Sequence, residues 1–171
     1  MSARRPALLG MLLALALVLG WVEHLLPVFV SVPGVKLGLA NIVVVFALYK
    51  LGRGSALLLS CAKVLLSAML FGGLSGLLYS AAGAALSYLV MLLLHRRKSL
   101  SPIGVSAAGG AAHVTAQLGV AILLTATPGI WRFLPVLMAV GTVTGALAGL
   151  VAALVLDRLK TPSGEETRHA E

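Results

Sequence analysis

Seven polar side chains stand out in a chain that is otherwise apolar: Glu23, Lys36, Asn41, Lys63, His113, Gln117 and Arg132. A carboxylate, two ammonium groups, a guanidinium, two carboxamides and an imidazole form a binding set, able to hold a small solute through charge-assisted hydrogen bonds. His113 and Gln117 are four positions apart, so on a helix they share a face. Lys36 follows a Pro33-Gly34 turn and precedes Asn41 at the head of an apolar run. A helix starting there has unpaired N–H groups and a positive dipole end, which suits an anionic or carbonyl-bearing group. Gly34 and Gly38 allow a ligand or a neighbouring helix to come close. Each residue also has a plainer role. Glu23 can pair with Lys36 across the loop or with Lys63, His113 can satisfy a neighbouring helix, and Lys36 and Arg132 can rest among lipid headgroups.

The elements that must position these groups are membrane helices. Of the 171 residues 60% are hydrophobic and only 11% charged, too little polar surface for a soluble domain. The mean hydropathy of +1.05 points the same way. A bilayer core of about 30 Å needs roughly 20 apolar residues as a helix. Six runs qualify, the second of them short: Ala7 to Phe29, Leu37 to Tyr49, Ser55 to Leu70, Leu74 to Leu94, Pro102 to Thr125, and Trp131 to Leu156. They are separated by Pro33-Gly34, Gly52-Arg53-Gly54, Gly72-Gly73, His95-Arg96-Arg97-Lys98 and Pro128-Gly129. The predicted fold class is an all-α, polytopic membrane bundle of six transmembrane helices. It forms a single domain over residues 1–160, and residues 161–171 make a polar, disordered tail.

The net charge of +8 reflects topology rather than nucleic-acid binding, because the basic residues fall in short clusters without interleaved aromatics. Arg4 and Arg5, Lys50 and Arg53, Arg96 to Lys98, and Arg158, Lys160 and Arg168 all lie on one side of a six-span chain. The positive-inside rule makes that side the cytoplasm, with both termini there and the protein in the cell's inner (plasma) membrane. No small-x-small cleavage site follows Gly20, so the first run is expected to be a retained span.

At a rise of 1.5 Å per residue, Glu23 and His24 fall roughly 25 Å along the first span. Lys36 and Asn41 lie in the outer part, His113 and Gln117 past the midplane, Arg132 at the outer edge and Lys63 near the middle. The cytoplasmic half carries almost nothing polar. Ionisable groups at depth mark function, so a pocket open to the exterior over a sealed floor is expected. Lys36, Lys63 and Arg132 against Glu23 favour an anionic or electron-rich solute. Small residues recur at four-residue spacing: Gly141, Gly145 and Gly149 on the sixth span, and Gly10 and Ala14 on the first. Such stripes serve close packing within a bundle or docking onto a partner membrane protein.

Several chemistries lack their residues. There is no G-x-x-x-x-G-K-[ST] for ATP, no zinc-spaced Cys/His set, and no spacing that suggests a Ser-His-acid triad. Asp157 is the sole aspartate, so the clustered carboxylates that hold magnesium diphosphate are missing. The lone Cys61 forms no intrachain disulfide. A non-catalytic chain without its own metal or cofactor is expected.

The block Glu23-His24-Leu25-Leu26-Pro27, followed by Val32-Pro33-Gly34-Val35-Lys36-Leu37-Gly38-Leu39-Ala40-Asn41-Ile42-Val43, closely resembles the bacterial Gx transporter family. That family is also labelled heptaprenyl diphosphate synthase component I. Leu70-Phe71-Gly72-Gly73-Leu74-Ser75, Leu78-Tyr79-Ser80-Ala81-Ala82-Gly83, and Ala112-His113 with Gln117 extend the match. Where the family reads His-Asn-x-Gly-Gln, this chain has His113-Val114-Thr115-Ala116-Gln117. The family looks similar to the substrate-binding S components of energy-coupling-factor transporters. That resemblance implies capture of a vitamin-like solute from outside, working with a transmembrane coupling protein and ATPases. The older label implies instead a membrane role in isoprenoid-diphosphate synthesis.

Overall fold

The computed structural model describes residues 4–25, 38–97 and 100–159. Among them are six α-helices: α1 (Arg4–Leu25), α2 (Asn41–Lys50), α3 (Arg53–Ser67), α4 (Gly73–His95), α5 (Pro102–Thr125) and α6 (Leu134–Arg158). A π-helical turn, Ala68–Gly72, joins α3 to α4, and a 3-10 segment, Pro128–Phe133, precedes α6. Five helical stretches are long and apolar enough to cross a membrane, and α2 is the exception. The Pro33-Gly34 turn, Lys36, Lys98 and the 161–171 tail lie outside the described residues.

The helix ends follow local chemistry. Ser101 caps α5 by accepting the Gly104 N–H at 3.3 Å, and Pro102 occupies the first turn, where its missing N–H costs nothing. The expected span of α5 therefore coincides with the observed one. Gly52 and Gly73 take φ of +88° and +57° at the starts of α3 and α4, conformations that a side chain disfavours. Thr115, Thr125 and Thr142 donate their hydroxyls to carbonyls four residues back, at 2.7 to 2.8 Å, and so need no partner in lipid.

The second span differs most from expectation. Its helix has ten residues, about 15 Å, or half a bilayer. The run Ile42-Val43-Val44-Val45 is a poor helix former because β-branched side chains lose rotamers in a helix. What holds it is burial: Val43 through Leu48 are all buried, around the whole circumference. With Ala16, Ala56, Leu59, Tyr88, Met91, Val105 and Ala152 they form the main core. Asn41, at the start of α2, therefore stands only about 15 Å along the helix from Lys50 at its end.

α5 and α6 pack antiparallel, backbone on backbone. A Cβ on Gly110 would stand 2.1 Å from the Gly141 carbonyl oxygen, one on Gly145 2.5 Å from that of Ser106, and one on Gly149 2.7 Å from the Ile103 Cα. The docking expectation for Gly141, Gly145 and Gly149 is thereby corrected: their smooth face is buried inside the bundle against α5. Gly10 and Ala14 on α1 are exposed, and nothing within 4 Å would meet a Cβ on Gly10.

Candidate functional site

The polar groups converge where α2 begins. The turn Gly38-Leu39-Ala40 closes onto α2 through Asn41 N–H to the Gly38 carbonyl at 2.8 Å and Ile42 N–H to that of Leu39 at 3.1 Å. The Gly38 N–H donates to the Glu23 carboxylate from α1. The Lys63 ammonium on α3 donates to Asn41 Oδ1 at 2.9 Å. Gly38 is required twice: its φ is +85°, and a Cβ there would stand 3.1 Å from Asn41 Nδ2. A polar connection thus runs from α1 through the head of α2 to α3.

α5 closes the other side. His113 and Gln117 point inward from one face, 5% and 0% exposed, while Glu23 and Lys63 are 6% and 8% exposed. All four are more than nine-tenths buried, in a bundle whose helices are otherwise apolar. The imidazole of His113 lies against Gly83 of α4, where a Cβ would be 2.8 to 3.0 Å from three ring atoms. The missing side chain at Gly83 is the seat of the ring.

Together these residues enclose a cavity of about 40 Å³, lined by Glu23, Gly38, Lys63, His113 and Gln117, with Gly20, Ala40, Val64, Ser67, Phe71 and Ser80 completing the wall. That is room for about three water molecules. The lining carries a carboxylate, an ammonium, an imidazole, a carboxamide and two hydroxyls, a set that can both donate and accept hydrogen bonds. Phe71 reaches the cavity from the π-helical turn, an irregularity that often sits at functional sites.

Of the six residues predicted to bind substrate, Glu23, Lys63, His113 and Gln117 line this cavity, and Asn41 is tied to it through Lys63. Lys36 lies outside the described residues. Arg132 is exposed in the 3-10 segment and does not line the cavity, so the expected cation excess is not gathered there among the described residues. The turn leading into α2 is held by the chain's own Glu23 carboxylate through the Gly38 N–H. Gly20, Ser67, Phe71, Ser80 and Gly83 escaped the reading of polar side chains at depth. The only sequence signal for Phe71 and Gly83 was their place in the family-like blocks, while Ser80 also falls on a small-residue stripe with Gly76 and Ala84.

The opposite end of the bundle is also more polar than predicted. Tyr88 donates to the Arg53 carbonyl at 2.8 Å. The rings of Tyr49 and His95 meet edge to face at 4.5 Å. Ser87 is buried on α4. Aromatic rings counted as apolar in the sequence carry these polar tips. Among the described residues, no three of His, Cys, Asp and Glu come together as a metal site would need.

Compared with known families, residues 12–155 match the family described as heptaprenyl diphosphate synthase component I. No curated protein and no solved structure matches the chain.

Proposed function

The chain belongs to the heptaprenyl diphosphate synthase component I family, and from that premise we propose that it is the solute-binding integral membrane subunit of an uptake transporter, similar to an energy-coupling-factor S component. One observation carries the reading: Glu23, Lys63, His113 and Gln117, brought from three helices, are buried around one cavity at the head of the half-length helix α2. Burying such groups in a bilayer is costly unless they serve a purpose, and a helix broken at mid-depth is tolerated where it lines a cavity. A solute larger than the present space enters as the wall opens. α1 is the natural moving part, because it supplies Glu23 while exposing Met11, Leu15, Val18, Trp21 and Val22.

In this reading the basic helix ends face the cytoplasm and the cavity is loaded from outside. The exposed Gly10 and Ala14 of α1 offer the smooth face for a coupling membrane protein that works with ATPases. The deciding experiment is mass spectrometry of small molecules and proteins retained by the chain purified in mild detergent. A specific small molecule retained by the wild type and lost in His113→Ala and Gln117→Ala is the expected result. Equal retention by the variants, or none by the wild type, removes the proposal.

The family description favours a second reading, a membrane component of isoprenoid-diphosphate synthesis. Asp157 as sole aspartate argues against this chain doing the catalysis, since magnesium diphosphate is held by grouped carboxylates. A soluble synthase would then be its partner. Co-purification with such an enzyme, and loss of long-chain prenyl products on deletion, is the outcome that would favour it.

A further inference from the structure

Building on the solute-binding reading, we propose that the cavity takes a small polar solute of zero net charge, a zwitterion or an uncharged molecule, rather than an anion. Two charged groups line the cavity among the described residues, and they have opposite sign: Glu23 and Lys63. Both are already engaged with the protein, Glu23 with the Gly38 N–H and Lys63 with Asn41 Oδ1. At the start of α2 the Asn41 and Ile42 N–H groups are taken by the Gly38 and Leu39 carbonyls, and the turn before it is held by the Glu23 carboxylate, so a substrate anion finds neither group waiting. Arg132, in the 3-10 segment before α6, is exposed and outside the wall.

The low dielectric of the bundle turns this balance into selectivity. A ligand bearing one net charge would leave one charge uncompensated in a buried, membrane-embedded site, which is strongly unfavourable. A zwitterion can set its cation toward Glu23 and its anion toward Lys63. An uncharged solute can bind without disturbing either contact. The remaining polar lining, His113, Gln117, Ser67 and Ser80, recognises hydrogen-bond pattern, because imidazole, carboxamide and hydroxyl groups each both donate and accept.

The test uses the full chain in mild detergent, incubated at neutral pH with a small-molecule extract of the expression host, then washed and analysed by native mass spectrometry. The wild type is expected to retain zwitterionic or uncharged compounds at least about tenfold over anions of similar mass, the ratio that a pairing difference of roughly 1.4 kcal/mol gives. Glu23→Gln leaves the cavity with a net positive charge and shifts retention toward anions. Lys63→Gln shifts it toward cations. The double variant E23Q/K63Q, which orphans no charge, keeps uncharged compounds and loses zwitterions, and it carries the test if either single variant fails to fold. Retention of carboxylates or phosphates by the wild type overturns the zero-charge inference and leaves the binding reading standing. Retention of nothing overturns both.

Discussion

Gly83 decides where His113 sits. A methyl group there would press on the imidazole, which is also close to Gly38 across the cavity. Gly83→Ala is expected to cost about 1–3 kcal/mol, the usual range for overpacking a filled site, and to abolish small-molecule retention. Gly76→Ala on the same helix, where a Cβ meets nothing within 4 Å, should leave both unchanged. Thermal unfolding in detergent beside the retention assay separates the two outcomes. Asn41 holds the Lys63 ammonium, so Asn41→Leu should destabilise by about 1–3 kcal/mol through loss of the acceptor for a buried cation. Adding Lys63→Met should recover part of that loss, because no cation then lacks its amide partner. A double variant less stable than the single one would show that the contact is not what holds Lys63 in place. The types of these residues were legible from the sequence, whereas the part played by Gly83, a residue with no side chain to notice, was not.

Helices α5 and α6 touch through glycine and backbone, and this contact leaves no space for substitution. Gly110→Ala and Gly145→Leu should each destabilise by about 3 kcal/mol, since the first atom added meets backbone rather than a flexible side chain. Gly10→Leu on α1 should alter stability by less than about 0.5 kcal/mol, as expected for an exposed site without neighbours. If α1 docks the coupling protein, that same variant folds normally yet co-purifies without it. The bounds of α5 were readable because Ser101, Pro102 and Pro128 are local signals. The shortness of α2 was not, because nothing local ends it early: Gly38 to Asn41 form a turn held by Glu23 from another helix.

Across the whole molecule the basic helix ends share one end of the bundle. Arg4 and Arg5 open α1, Lys50 and Arg53 flank the α2–α3 joint, Arg96 and Arg97 follow α4, and Arg158 closes α6. In the orientation proposed above, with the basic helix ends toward the cytoplasm, Thr127 in the exposed segment between α5 and α6 is expected outside the cell. In intact cells a membrane-impermeant maleimide should label a Thr127→Cys variant and spare the native Cys61. Cys61 is exposed on α3 about 12 Å along the helix from Arg53, a depth inside the hydrocarbon core when Arg53 stands at its edge. Labelling of Thr127→Cys only after the cells are opened would invert the topology and turn the cavity's end toward the cytoplasm.

By itself the sequence determined that this chain enters a bilayer, where most of its helices begin and end, and which ionisable groups go in with it. Those are questions of transfer from water into hydrocarbon and of local turn chemistry, and each residue contributes to them nearly independently. Which apolar face meets protein and which meets lipid was left to the tertiary structure, because lipid tails and a protein core are almost equally hospitable to leucine and valine. For that reason the Gly141-Gly145-Gly149 stripe could be read as open to a partner until α5 was found lying on it. Only the packed bundle brings Glu23 to Gly38, Lys63 to Asn41 and His113 to Gly83, contacts between residues 15 to 30 positions apart.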